Sequence, residues 1–304
     1  MLTSVVMIKS NTQTTFEALV PKFLDYIQYD LVLSKHTVEK YKDCLKWFHR
    51  DMGNLLSPSE LSLEHITELK KQTLMRGAGP CRVNGIIFAL RKFLIYCNEI
   101  QKIITINPKE IKPMKYPKRE VLFLTKEEVS EFIKAMDVTT ITGLRMRTLA
   151  ELLLCTGMRI SEALSINKED VNWHDKEVVI IGKGNKQRTV FLNERVVEWL
   201  QMYLIRRKDS NPALFVTTGK SERLRTYDLS KQFKHYAQKA GLKKKVTPHI
   251  LRHTAATTMS FNGCDIRIIQ QILGHSDIET TARYYLGVDK RAIKEAHAKY
   301  LNYC

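Results

Sequence analysis

His249, Arg252, His275 and Tyr284 lie close together near the end of the chain. They fall within Pro248-His249-Ile250-Leu251-Arg252-His253, then Leu273-Gly274-His275-Ser276, then Thr281-Ala282-Arg283-Tyr284-Tyr285. Cations that can hold an oxyanion, followed by a phenol, suit the chemistry of a phosphodiester. A phenol with an ordinary pKa of about 10 is a weak nucleophile until neighbours withdraw its proton and hold the reacting group in place. His249 and Arg252 can do the holding. They stand three apart on a helix whose start is marked by Thr247-Pro248, so they share one face near the positive end of its dipole.

Two cations upstream extend the set. Gly157 in Cys155-Thr156-Gly157-Met158 can end one helix so that Arg159-Ile160-Ser161-Glu162 opens the next, which puts Arg159 beside backbone N–H groups that favour anions. The plainer reading of Arg159 is an ion pair with Glu162. Lys183 lies in Gly182-Lys183-Gly184-Asn185-Lys186, where a long cation at a hairpin tip can reach a neighbouring site and give a proton to a leaving oxygen. The plainer reading is a basic turn that shares a nonspecific phosphate contact with Lys186 and Arg188. His275 follows a glycine that can end a helix, with Ser276 as a cap for the next, which would hold the imidazole at a rigid corner. Of the doublet, Tyr284 and Tyr285 cannot point the same way on a helix, and His253 reads as a packing or structurally bonded histidine.

Composition bounds the partner. The 304 residues carry 49 Lys and Arg against 32 Asp and Glu, a net charge of +17 that favours a polyanion, with nucleic acid the leading candidate. The excess is not a terminal tail, because 16 basic and 11 acidic residues lie up to residue 112 and 33 and 21 after it. The six cysteines form no Cys-x-x-Cys pair and no Cys/His cluster at zinc spacing, so neither a disulfide framework nor a structural metal is expected, and the thiols read as reduced. Residues 1–11 lack the long apolar core of an export signal, and no run of 18 apolar residues occurs, so a cytoplasmic protein without a membrane segment is expected.

The elements that must position these groups are mostly helical. Thr14-x-x-Glu17 reads as a capping box before a helix through Ile27, with Pro21 awkwardly inside it, so that the helix either starts later or kinks there. Amphipathic stretches follow near Lys35–Asp51, Leu63–Met75 and Cys81–Glu99, together a small helical domain. Between Asn107 and Arg119, three prolines alternate with five basic residues, which predicts an extended inter-domain linker. Thr125-x-x-Glu128 opens the second domain as another capping box, followed by the apolar run Leu149–Cys155. Glu177–Ile181 and Gln187–Leu192 read as a β-hairpin, with Ala213–Thr217 the candidate third strand, and the pattern is helical from there to the end. The expected class is therefore mainly α with one small antiparallel sheet, without βαβ alternation.

Taken together, Arg159, Lys183, His249, Arg252, His275 and Tyr284, in that order, resemble the catalytic set of the tyrosine recombinase (phage integrase) family in its Xer-like form. The likeness extends to whole boxes: Cys-Thr-Gly-Met-Arg-Ile-Ser-Glu-Ala-Leu, Gly-Lys-Gly-Asn-Lys-Gln-Arg, Pro-His-Ile-Leu-Arg-His-Thr and Leu-Gly-His-Ser-Asp-Ile-Glu-Thr-Thr-Ala-Arg-Tyr. It implies an N-terminal helical (SAM-like) core-binding domain over residues 12–106, a basic Pro-rich linker over 107–120 and a catalytic domain over 121–304. Spacing from His275 selects Tyr284 rather than Tyr285.

The resemblance also implies a reaction. Tyr284 attacks a phosphodiester of double-stranded DNA, giving a 3′-phosphotyrosyl enzyme and a free 5′-hydroxyl, and the 5′-hydroxyl of another strand reverses the step, with no metal or other cofactor. Arg159 and Arg252 stabilise the charge on the nonbridging oxygens, and His275 adds a donor. His249 handles the Tyr284 proton, and Lys183 acts as general acid for the leaving oxygen. Two domains clamped around duplex DNA are implied, with a homotetramer, or a heterotetramer with a related recombinase, on two DNA sites. The segment Asp289–Cys304 resembles one that docks on an adjacent subunit. The biological task is integration or excision of an element, or chromosome dimer resolution. Two other readings use the same scaffold: a noncatalytic DNA-binding or architectural protein, which would form no covalent adduct, and a type IB topoisomerase, which would relax DNA without exchanging two sites.

Overall fold

The computed structural model describes residues 15–52, 57–117, 122–182 and 187–274. The chain divides into two compact units, Met1–Lys118 and Arg119–Cys304. The first is built from α1 (Phe16–Asp25), α2 (Lys35–Asp51), α3 (Leu63–Met75) and α4 (Pro80–Glu99). The N-cap of α1 is Thr15, whose side chain accepts from the Ala18 N–H, and not the expected Thr14, which lies outside the described residues. Pro21 stays inside α1, and the chain runs on into a π-helix, Tyr26–Asp30. Apolar residues recurring at helical spacing on α4, among them Val83, Ile86, Leu90, Phe93 and Cys97, are fully buried and form the centre of this unit. Phe16 and Phe23 both meet Phe93 there, and Phe48 meets Phe16.

Residues 107–117 form no helix or strand, in keeping with their prolines. Their first part is nevertheless tied down. Ile111 is fully buried in the core of the first unit, and the Asn84 side chain both donates to the Met114 carbonyl at 2.9 Å and accepts the Met114 N–H at 2.7 Å.

The second unit opens with α5 (Lys126–Lys134). The expected capping box is formed: the Thr125 N–H donates to Glu128 at 2.9 Å, and the Glu128 N–H to the Thr125 hydroxyl at 3.3 Å. Helix α6 (Ile141–Thr156) carries Leu144, Met146, Leu149, Leu152 and Leu153 buried around its circumference, as befits a helix enclosed by others. After α7 (Ile160–Ser165) comes an antiparallel sheet of order β1-β2-β3, with β1 Val171–Asn172, β2 Glu177–Ile181 and β3 Gln187–Phe191. The hairpin expectation holds for β2 and β3, but the third strand is Val171–Asn172 rather than Ala213–Thr217. Residues Ala213–Val216 are buried and make only isolated bridges, Asn167 to Ala213 and Val216 to Arg223, so their apolar character serves the core and not a ladder. Helices α8 (Glu194–Arg206), α9 (Thr226–Lys239), α10 (Pro248–Phe261) and α11 (Ile266–Leu273) complete the described part.

Candidate active site

The site is assembled where α6, α10 and α11 end or begin. Helix α6 terminates at Gly157 in the left-handed conformation, φ +60°. Glycine is required there on two counts: the conformation itself, and the 2.7 Å that would separate an added Cβ from Cδ2 of Leu273 on α11. The chain then turns through buried Met158 to Arg159, the N-cap of α7. Arg159 is held by Glu162: its backbone N–H donates to Oε2 at 2.7 Å and its Nη1 to Oε1 at 2.9 Å. The ion pair with Glu162 read from the sequence is present, and it leaves the Arg159 side chain 34% exposed.

Arg252 arrives on α10, whose start is set by the Thr247 side chain accepting from the Ile250 N–H and by Pro248 in the first turn. It is only 3% exposed, and its Nη1 donates to the Gly157 carbonyl at 2.7 Å. Helix α11 supplies the remaining wall. Its buried residues Ile269 and Leu273 seat it, and it ends at Gly274, again left-handed, φ +64°. Three successive carbonyls at this negative helix pole are each taken by a different arginine: Ile272 by Arg188 Nε at 3.3 Å, Leu273 by Arg252 Nη2 at 2.8 Å, and Gly274 by Arg159 Nη2 at 3.2 Å. One helix end therefore gathers guanidiniums that are far apart in sequence.

His249 joins them from the first turn of α10. Burial, then the charges of Arg252 and Arg159, push its imidazole below the ordinary value, which favours the neutral ring. Its ring lies edge-on to that of His253, with centroids 4.1 Å apart, which is the packing role expected for His253. Arg159, His249 and Arg252 are thus brought close to one another. Lys183, His275 and Tyr284 lie outside the described residues, as does the 289–304 segment.

One member went unrecognised in the sequence. Arg188, there read as a companion of Lys183 in nonspecific phosphate contact, points inward: its Nη1 and Nη2 donate to Oε1 and Oε2 of Glu162 at 3.1 and 2.8 Å. Strand alternation holds the signal, because Arg188 shares its face of β3 with buried Val190 while Gln187, Thr189 and Phe191 are exposed. Burial alone pushes the Glu162 carboxyl upward, but hydrogen bonds from Arg188 and Arg159 outweigh it and hold the group below its ordinary value. Three guanidiniums thus stand against the one Glu162 carboxylate. The excess of positive charge beside a neutral imidazole is suited to a tetrahedral oxyanion.

A mainly helical chain whose second unit holds two arginines and a histidine at the ends of packed helices, beside a small antiparallel sheet, has the tyrosine recombinase fold. Superposition on the integrase of the transposon Tn1549, solved in complex with a circular intermediate DNA, gives a TM-score of 0.79 at 18% identity over 94% of this chain and 99% of that one. A model of the Phage integrase family matches residues 122–291. The chain is 30% identical to tyrosine recombinase XerC of Chlamydia pneumoniae, over 92% of this chain and 98% of that protein. It is 32% identical to tyrosine recombinase XerD of Staphylococcus haemolyticus (strain JCSC1435), over 93% and 98%. The chain belongs to the phage integrase family, among its Xer-like tyrosine recombinases. By class it is a site-specific DNA recombinase.

Proposed function

We propose that the second unit cleaves and rejoins duplex DNA at a specific site, with Tyr284 as nucleophile. The observation that carries this reading is the meeting of Arg159, Arg252 and His249 at the Gly157 turn and the end of α11. The phenolic oxygen of Tyr284 bonds to phosphorus as the P–O5′ bond breaks. The product is a 3′-phosphotyrosyl linkage and a 5′-hydroxyl, and attack by the 5′-hydroxyl of a partner strand restores the phosphodiester and the phenol. Neutral His249 takes the Tyr284 proton, and Lys183 delivers one to the leaving 5′-oxygen. Arg159 and Arg252, with His275, meet the charge that builds on the nonbridging oxygens. Phosphoester energy is conserved in the covalent intermediate, so the cycle requires no nucleotide hydrolysis.

In this reading the first unit and residues 107–120 contact the DNA backbone, where the +17 charge supplies salt-sensitive affinity. Four protomers, identical or shared with a related recombinase, hold two DNA sites, and the 289–304 segment docks on the adjacent subunit. The protein acts in the cytoplasm, on its host chromosome or on an inserted element. The test starts from a cognate site recovered by selecting bound duplexes from a random library. A nicked suicide substrate carrying that site should trap a covalent protein–DNA adduct with the wild type and none with Tyr284→Phe, which still binds. Absence of adduct with the wild type, or its persistence in Tyr284→Phe, defeats the reading. Exchange of two sites by the wild type, as opposed to relaxation alone, distinguishes recombinase from topoisomerase.

A further inference from the structure

We infer that Arg188 is a positioning residue for strand cleavage: its guanidinium orients and neutralises Glu162, leaving the Arg159 charge for the phosphate, and secures the end of α11 from which residue 275 follows. The inference rests on the function proposed above. Glu162 has four donors on two oxygens: the Arg159 N–H and Arg188 Nη2 on Oε2, Arg159 Nη1 and Arg188 Nη1 on Oε1. With Arg188 absent, a buried carboxylate would face Arg159 alone, and the two charges would cancel as a closed pair. With Arg188 present, the carboxylate is answered by a guanidinium whose Nε, Nη1 and Nη2 are all engaged by Ile272 and Glu162, while Arg159, 34% exposed, keeps a positive charge to offer. Arg159 is thus aimed by Glu162 without being neutralised by it.

The same side chain reaches a second element. Nε of Arg188 donates to the Ile272 carbonyl at 3.3 Å, and its Nη1 lies so close to Gly274 that an added Cβ there would stand 2.7 Å away. A third link is covalent. Arg188 sits on β3 opposite Ile180, one residue in from the last described pair of the hairpin, Ile181 with Gln187, whose loop carries Lys183. One planar fork therefore connects the hairpin, the carboxylate that aims Arg159, and the turn before His275. Lysine could supply the charge but not the paired donors.

The test uses the full-length protein at saturating DNA and reads the single-turnover rate of adduct formation on the suicide substrate, the affinity for intact site, and the thermal midpoint. Arg188→Gln should slow adduct formation on the order of 100-fold, the effect of misplacing a catalytic group by about an ångström, with affinity changed less than about 3-fold. In a Glu162→Gln background the same change should cost far less, because the two residues act as one unit. Arg188→Lys should fall between, about 10-fold slower, and serves also if Arg188→Gln fails to fold. A variant that cleaves at the wild-type rate, a loss confined to DNA affinity, or an equal loss in both backgrounds overturns the inference and leaves the proposed function standing. A wild type that forms no adduct overturns both.

Discussion

Arg252 donates through Nη1 to the carbonyl of Gly157 at 2.7 Å, so a residue of α10 satisfies the end of α6 across 95 positions of sequence. Its Nη2 does the same for Leu273 on α11. The buried guanidinium therefore ties together the ends of two helices, α6 and α11, and is the group proposed above to meet the phosphate.

Truncating it should have two separable effects. Arg252→Gln leaves the Gly157 and Leu273 carbonyls without these donors, at about 1–3 kcal/mol for each buried group left unsatisfied. A melt should show the midpoint lowered by about 2–4 °C per kcal/mol lost in a unit of this size. Adduct formation should fall further than stability does, by roughly 100- to 1,000-fold, the cost of deleting a charge-stabilising donor. Unchanged cleavage in a folded Arg252→Gln protein would contradict its placement.

The neutrality of His249 sets a pH response. Its folded pKa lies below the ordinary 6.5, because of burial and then Arg252 and Arg159. The unfolded chain therefore binds the proton more readily, so this group's contribution to stability is present above pH 6.5 and declines as pH falls through the lower folded value. In the DNA-free protein, the His249 ring resonances, assigned by loss in His249→Gln, should titrate with a midpoint below 6.5. Arg159→Gln should move that midpoint upward, and a midpoint above 6.5 in the wild type would remove the basis for a neutral base here.

Gly274 and Gly263 form a matched pair. Both are left-handed, at φ +64° and +77°, but an added Cβ meets Arg188 at the first and nothing within 4 Å at the second. Gly263→Ala and Gly274→Ala should each lose about 1–2 kcal/mol from conformational strain. Only Gly274→Ala should also displace the Arg188 fork and slow adduct formation, measured as single-turnover rate at a temperature where both variants are folded.

Asn84 holds the path of the chain beyond the first unit's core through its two bonds to Met114. Asn84→Ala should forfeit about 0.5–1.5 kcal/mol per bond. Trypsin should then cut faster after Lys112 or Lys115 than in the wild type under native conditions, as read by mass of the fragments. An unchanged cutting rate would mean that the Ile111 contact alone secures this segment.

The parts legible in the sequence are those governed by neighbours along the chain. The Thr125–Glu128 box, the stop at Gly157, the start at Thr247-Pro248 and the stop at Gly274 all follow from capping and from glycine's access to positive φ, interactions that span four residues or fewer. The β2–β3 hairpin was legible from two β-like runs separated by a short Gly-containing segment. The errors arose where apolar character was ambiguous. Ala213–Val216 carries residues a strand would favour, but burial satisfied them, and the short pair Val171–Asn172 took the sheet edge.

The order and residue types of Arg159, Lys183, His249, Arg252, His275 and Tyr284 determined by themselves the family and the chemistry to be tested. Tertiary structure alone decided that three arginines converge on the last carbonyls of α11, and that Arg188 faces Glu162 instead of solvent. The physical reason is the range of the forces. Helix caps and turns are set by local backbone geometry, whereas which donor reaches a helix's terminal carbonyls depends on how distant segments pack, and no spacing along the chain encodes that distance.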